Sequence, residues 1–249
     1  MVENKTETYW DDPSRDFRQR YQLPEHYLWD PYALPAINYE GYIRIALSLL
    51  PSPQASVLDV GCGDGWVTNR MIKRGYQTVG IDYSDRAISF ARLMVPEAEF
   101  HTGDIRDLDM QQKWLEKFDA ALFVEVLEHI PPQYHLQLVS GINKCLKRNG
   151  TLVLTVPSVN RALNPWHYKH FTQQEGVDLL ETTGFKVVNI VNQQESTFWR
   201  SKQLWRFLKN PIYDIRLTRI FMSRLLLRKY NIAKSPNKAE RFIYQAEKI

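Results

Sequence analysis

Residues 57–66 read Val-Leu-Asp-Val-Gly-Cys-Gly-Asp-Gly-Trp. Val57 to Val60 has the apolar, β-branched character of a buried strand. Gly61, Gly63 and Gly65 follow at alternate positions, and Val67 to Arg74 then reads as helix-forming sequence. A strand that passes through a glycine-rich turn into a helix brings bare backbone close to a ligand, because glycine carries no Cβ and tolerates positive φ. The spacing is G-x-G-x-G, not the G-x-G-x-x-G of dinucleotide enzymes, so the turn need not hold a pyrophosphate.

Outward from this turn the chain alternates strand and helix. Strands are expected at Ser56–Val60, Gln77–Ile81, Glu99–His101, Phe118–Val124, Thr151–Val156 and Lys186–Val191, with helices at about 66–74, 84–94, 111–116, 133–147 and 172–183. Short apolar strands alternating with helices predict an α/β fold, a parallel sheet covered on both faces. A further strand is expected within Ala239–Lys248. Ahead of the first strand, residues 36–50 read as a helix closed by Pro51 and Pro53. Residues 1–40 combine Tyr9, Trp10, Tyr21, Tyr27, Trp29 and Tyr32 with four prolines. That stretch is a poor continuous helix and too aromatic for a simple tail, so it reads as an arm packed over something. The expected organisation is an arm (1–40) over the active site, a core (41–195), a basic helical insertion (196–238) and a last core strand (239–249).

Ligands of an open parallel sheet bind beyond the carboxyl ends of its strands. Four successive strands end in polar groups: Asp59 before the glycine turn, Gly80-Ile81-Asp82-Tyr83-Ser84, Gly103-Asp104-Ile105, and Glu125-Val126-Leu127-Glu128-His129. Asp82 follows Gly65 by 17 residues, near the offset at which an acid takes ribose hydroxyls. Each element has a plainer reading: Asp82 as a helix N-cap, Asp104 as a turn residue, Cys62 as a small buried side chain. Their joint order and spacing favour one ligand site.

V-L-D-V-G-C-G-D-G, G-I-D-Y-S, H-T-G-D-I, F-D-A-A-L-F-V-E-V-L-E-H-I and G-T-L-V-L-T-V-P together resemble the class I S-adenosylmethionine (SAM) dependent methyltransferases over roughly residues 55–192. The resemblance implies a Rossmann-like, seven-stranded, mostly parallel sheet with an antiparallel last strand, Arg241–Lys248. It implies that Asp59 and the backbone of Gly61, Cys62 and Gly63 face the amino-acid end of SAM. Asp82 would take the ribose hydroxyls with Tyr83 beside the adenine, Asp104 and Ile105 would meet the adenine amino edge, and the Glu125 carbonyl would approach the methionine moiety.

Methyl transfer from a sulfonium asks the protein for proximity, orientation and, for a hydroxyl acceptor, a base. The candidates are His129, His170 and Glu128. The plainer reading of His170 is structural, since Thr172 and Glu175 beside it form a capping-box pattern. Glu125, Glu128, His129 and His170 also suit a divalent cation. The E-x-x-E-H cluster is similar to the metal motif of small-RNA 3′-terminal 2′-O-methyltransferases and to the E-x-L-E-H of ubiquinone-biosynthesis O-methyltransferases.

Composition sets the remaining bounds. With 44% hydrophobic and 24% charged residues the chain reads as an ordinary soluble protein. Met1 to Thr8 is polar with no apolar run behind it, so no leader is expected, and two cysteines fit a reducing cytoplasm better than a disulfide scaffold. Residues 200–230 carry nine Lys/Arg against Asp214, a net +8 in a chain of net +4. This segment reads first as a substrate cap or homodimer contact, second as a contact with an anionic membrane, third as an RNA footprint. The expected activity is SAM-dependent O-methylation of a small-molecule, lipid-linked or saccharide acceptor. The alternatives are an RNA 2′-O-methyltransferase with a divalent metal and a non-catalytic SAM-binding protein.

Overall fold

The computed structural model describes residues 22–31, 34–194, 231–233 and 235–249. The expected arm residues Tyr9, Trp10, Tyr21 and Tyr32 and the basic segment 200–230 lie outside the described residues.

A four-residue helix α1 (Glu25–Leu28) follows Pro24, and α2 spans Leu34–Ser48. The core then runs β1 (Ser56–Val60), α3 (Trp66–Ile72), β2 (Gln77–Asp82), α4 (Asp85–Met94), β3 (Glu99–Thr102), α5 (Leu108–Lys113), β4 (Phe118–Val124), α6 (His135–Cys145), β5 (Leu146–Pro157), α7 (Gln173–Thr182), β6 (Phe185–Gln194), β7 (Asn231–Ile232) and β8 (Arg241–Lys248). The sheet order is β3-β2-β1-β4-β5-β8-β6-β7. β1 to β5 pair parallel, and β8 inserts antiparallel between β5 and β6. The seven-stranded pattern is therefore present, with a two-residue strand β7 added on the edge of β6.

Adjacent residues of β1 explain the layering. Side chains alternate across a strand, so Val57 enters one apolar cluster with Tyr42, Ile43 and Leu47 of α2 and Val67 and Met71 of α3. Leu58 enters the opposite cluster with Leu138 and Ile142 of α6 and Leu180 of α7. β4, buried along almost its whole length, sits between both. Its near-continuous apolar run is what a central parallel strand requires.

The differences from expectation have local causes. α2 starts at Leu34 because Pro35 is tolerated in a first helical turn; it crosses residue 40, where the arm was expected to end. α5 starts three residues before its expected position, at Leu108 behind Asp107, and ends at the fully buried Trp114. β5 extends back to Leu146 through an irregular register, with Asn149 at φ 61°. The expected capping box is present: Glu175 N donates to Thr172 Oγ1 at 3.2 Å and Thr172 N donates to Glu175 Oε2 at 2.8 Å.

Candidate functional site

The glycine turn is held by the strand beside it. Gly61, Gly63 and Gly65 take φ values of 71°, 55° and 77°, the left-handed region. A Cβ on Gly61 would collide with the Val126 side chain. Gly61 N and Cys62 N both donate to Ile81 O, at 2.8 and 3.1 Å. Asp82 then secures both neighbours: Gly63 N donates to its Oδ2 at 2.9 Å and Ser84 N to its Oδ1 at 2.8 Å. The N-cap of α4 is Ser84, whose Oγ accepts from Ala87 N, so Asp82 is not the cap. Burial raises the Asp82 pKa against those two amide bonds, and Asp64 raises it further. Burial pushes Asp59 up to about 7 despite the Thr68 hydroxyl that donates to it at 2.6 Å.

Two adjoining cavities open beside this turn. The larger, about 260 Å³, is lined by Asp59, Gly61, Cys62, Gly63, Asp82, Tyr83, Glu125 and His129, among others. The smaller, about 60 Å³, is lined by Asp104 and Ile105 and shares Gly61, Asp82, Tyr83, Val126 and Ile130 with the first. All nine residues expected around the cofactor thus line one cavity or the other. Asp104 has a partner that sequence reading missed. Arg106 donates to its Oδ2 through Nε (3.0 Å) and Nη2 (2.8 Å), and its guanidinium lies 4.5 Å from the Tyr134 ring centre.

At the end of β4 the side chains separate. Glu125 takes φ 52° and turns its carboxylate inward, where Arg241 of β8 donates to Oε1 (2.7 Å) and Oε2 (2.6 Å) and Thr155 to Oε1 (2.9 Å). Burial alone would raise its pKa, yet the Arg241 charge and these bonds leave it lowered. Glu128 is 1% exposed, and its Oε2 has no hydrogen-bond partner among the described residues. Burial, then the Glu125 charge, holds it well above the usual carboxylate range.

His129 and His170 do not meet directly. His167 stands between them: its ring centre is 4.6 Å from that of His129, and its Nδ1 is 2.8 Å from His170 Nε2. Burial, then the neighbouring His129 and His170, pushes His167 down to about 3. Burial likewise lowers His170, whose Nδ1 faces the Arg161 carbonyl at 3.3 Å. Of the expected metal set, only Glu128 and His129 come together, and the third member is His167: one ligand atom from each lies within 4.8 Å of the others. Glu125 is committed to Arg241, and His170 stands behind His167. His129 lines the large cavity, whereas Glu128 and His170 do not.

Part of the wall comes from ahead of α2, within the segment expected as an arm, where sequence reading singled out Trp29 but neither Glu25 nor His26. Glu25, His26 and Trp29 line the large cavity with Tyr39 and Trp66. The aromatic density of residues 21–32 was the available signal, but nothing in it pointed to Asp64 as the docking point. Among the described residues, no helix is long and apolar enough to cross a membrane.

A family model described as a methyltransferase domain matches residues 37–190. A probable S-adenosylmethionine-dependent methyltransferase of Mycolicibacterium smegmatis is 26% identical over 138 residues, 53% of this chain and 52% of that protein. A ubiquinone biosynthesis O-methyltransferase of Histophilus somni is 31% identical over 163 residues, 63% of this chain and 61% of that protein. The chain thus spans between half and two thirds of the length of these two relatives. A solved SAM dependent methyltransferase from Archaeoglobus fulgidus superposes with a TM-score of 0.61 at 16% identity, covering 87% of this chain and 95% of that one; this likeness speaks to the fold.

Proposed function

Because the chain belongs to the methyltransferase-domain family, we propose that it transfers the methyl group of SAM to an oxygen of a small-molecule acceptor. The observation that carries this reading is the large cavity itself, which joins the glycine turn and Asp82 at one end to His129 at the other. When bound, SAM supplies an electrophilic methyl on a sulfonium, so the chain needs no nucleophile of its own. The site fits that group: the turn leaves no room for a Cβ at Gly61, and Asp64 and Asp82 give the cavity an acidic wall suited to a cation.

The chain's part is to orient and to move one proton. Asp82 holds the turn and retains lone pairs for the ribose hydroxyls. His129 Nδ1 lies 3.0 Å from the Trp166 carbonyl, which can only accept, so Nδ1 carries a hydrogen and, in the neutral ring, Nε2 carries the lone pair. That tautomer can take the proton of an acceptor hydroxyl as it attacks in line. The relatives named as ubiquinone biosynthesis O-methyltransferases support oxygen as the acceptor atom; lipid-linked and saccharide hydroxyls share this chemistry. His129→Gln is expected to lower kcat by about 10²-fold with SAM affinity intact. The direct test is transfer of label from SAM to a panel of hydroxyl acceptors. SAM binding without transfer to any of them would replace the enzyme reading with that of a SAM-binding protein.

One observation supports a second role for the same corner. The unpartnered, buried Glu128 Oε2 close to His129 and His167 suits a divalent cation that would orient the acceptor oxygen. Loss of activity on chelation, restored by Mg or Mn, is its expected signature; activity indifferent to chelator would leave His129 as the base alone. An RNA acceptor predicts binding that weakens steeply with salt, and a flat response would dismiss it.

A further inference from the structure

We propose that His26 receives the carboxylate of the cofactor's methionine moiety, an assignment that rests on the cavity being the SAM site. Among the described residues, the lining of the large cavity includes five acids, Glu25, Asp59, Asp64, Asp82 and Glu125, and no lysine or arginine. Arg241 offsets Glu125 and burial holds Asp59 at about 7, yet the lining as a whole suits the ammonium and sulfonium of SAM and gives its carboxylate no lysine or arginine to meet. Only His26 and His129 among these lining residues can carry positive charge. His129 belongs to the β4 end of the cavity, where the acceptor is placed. His26 stands on the glycine turn, which the amino-acid end of SAM must approach.

His26 is held in place by both oxygens of one carboxylate. Its backbone N donates to Asp64 Oδ2 at 2.9 Å, and its Nδ1 lies 3.0 Å from Asp64 Oδ1. Asp64 is 1% exposed, and the His26 side chain retains 19% of its surface. The ring packs among Trp29, Tyr39 and Trp66, with centroids at 4.7, 5.0 and 6.1 Å. A carboxylate only accepts, so Nδ1 presents its hydrogen to Asp64. A second carboxylate arriving at Nε2 is met by an N–H donor when that nitrogen also carries a hydrogen, which makes a charge-assisted bond. His26 lies outside residues 37–190, the part that the family model matches. Asp64, Tyr39 and Trp66, which hold it, lie within that part.

The experiment is calorimetric titration of the full chain with SAM and with decarboxylated SAM, for the wild type, His26→Ala and His26→Asn. Asparagine keeps a donor toward Asp64 while removing Nε2, so it separates ligand recognition from the docking of the segment. SAM affinity is expected to fall about tenfold or more in both variants. Affinity for decarboxylated SAM should change by less than about threefold. Equal losses for both ligands would make His26 a clip on the turn and overturn the assignment, as would unchanged SAM affinity. A wild type that binds neither ligand would instead remove the reading of the cavity as a SAM site.

Discussion

The two ends of the cavity are built by opposite means. At the β1–β2 end, residues 59–65 and 82–84 make the wall almost unaided: three glycines at positive φ, two amides on Ile81 O and two on the Asp82 carboxylate. At the β4 end, no neighbour in sequence holds the key side chains. Glu125 depends on Arg241, 116 residues away, and His129 on the Trp166 carbonyl, 37 residues away. One wall is a backbone conformation imposed by residue type; the other is a set of tertiary ion pairs and hydrogen bonds. The first should tolerate changes elsewhere in the fold, and the second should not.

The largest expected effect tests that dependence. Arg241→Met leaves Glu125 as an unpaired buried carboxylate, which should cost about 3–5 kcal/mol in denaturant unfolding. The Glu125→Gln/Arg241→Met double variant should recover most of it, because the uncompensated charge is gone. A single variant no worse than a surface substitution would mean that the β4 end stands without β8, and the contrast would collapse. Next in size is the opposite wall. Asp82→Ala removes the acceptor for Gly63 N and Ser84 N and for the ribose hydroxyls, so SAM affinity should fall about a hundredfold. Equilibrium dialysis giving wild-type affinity would end the assignment of Asp82.

The same contrast explains what the sequence made legible. β1, β2 and β4 were readable because periodicity, glycine spacing and apolar runs are local, and so were nine of the residues that line the cavities. Arg241 was read only as part of a strand, since nothing in Arg-Phe-Ile-Tyr reveals a partner on β4. Glu125 was assigned to a metal set by its E-x-x-E-H spacing, but both of its carboxylate oxygens are taken by Arg241 of β8. His167 was in view within His-Tyr-Lys-His, yet only the loop's fold places it, not His170, beside His129. Residues 25–29 showed their aromatic character in sequence, while their docking on Asp64 depends on a contact 38 residues away.

The last expected effect lies in the pH dependence of the two walls. At the glycine turn, burial holds Asp59 at about 7, against about 3.9 in an unfolded chain. Between those values the fold keeps a proton that the unfolded chain has released. The stability tied to Asp59 is therefore complete below about pH 4 and lost as pH rises through 7. An amide at this position has no proton to lose, so the melting temperature of Asp59→Asn should gain on the wild type between pH 5 and 8. About two pH units of that window, at ~1.4 kcal/mol each, correspond to a gain of roughly 5–10 °C at ~2–4 °C per kcal/mol for a chain of this size. Across the cavity the sign reverses, because Arg241 keeps Glu125 ionised and its stabilisation is lost on acidification instead. Parallel melting curves for Asp59→Asn and wild type across this range would show that Asp59 is solvated, and that the wall made by the glycine turn is more open than its geometry indicates.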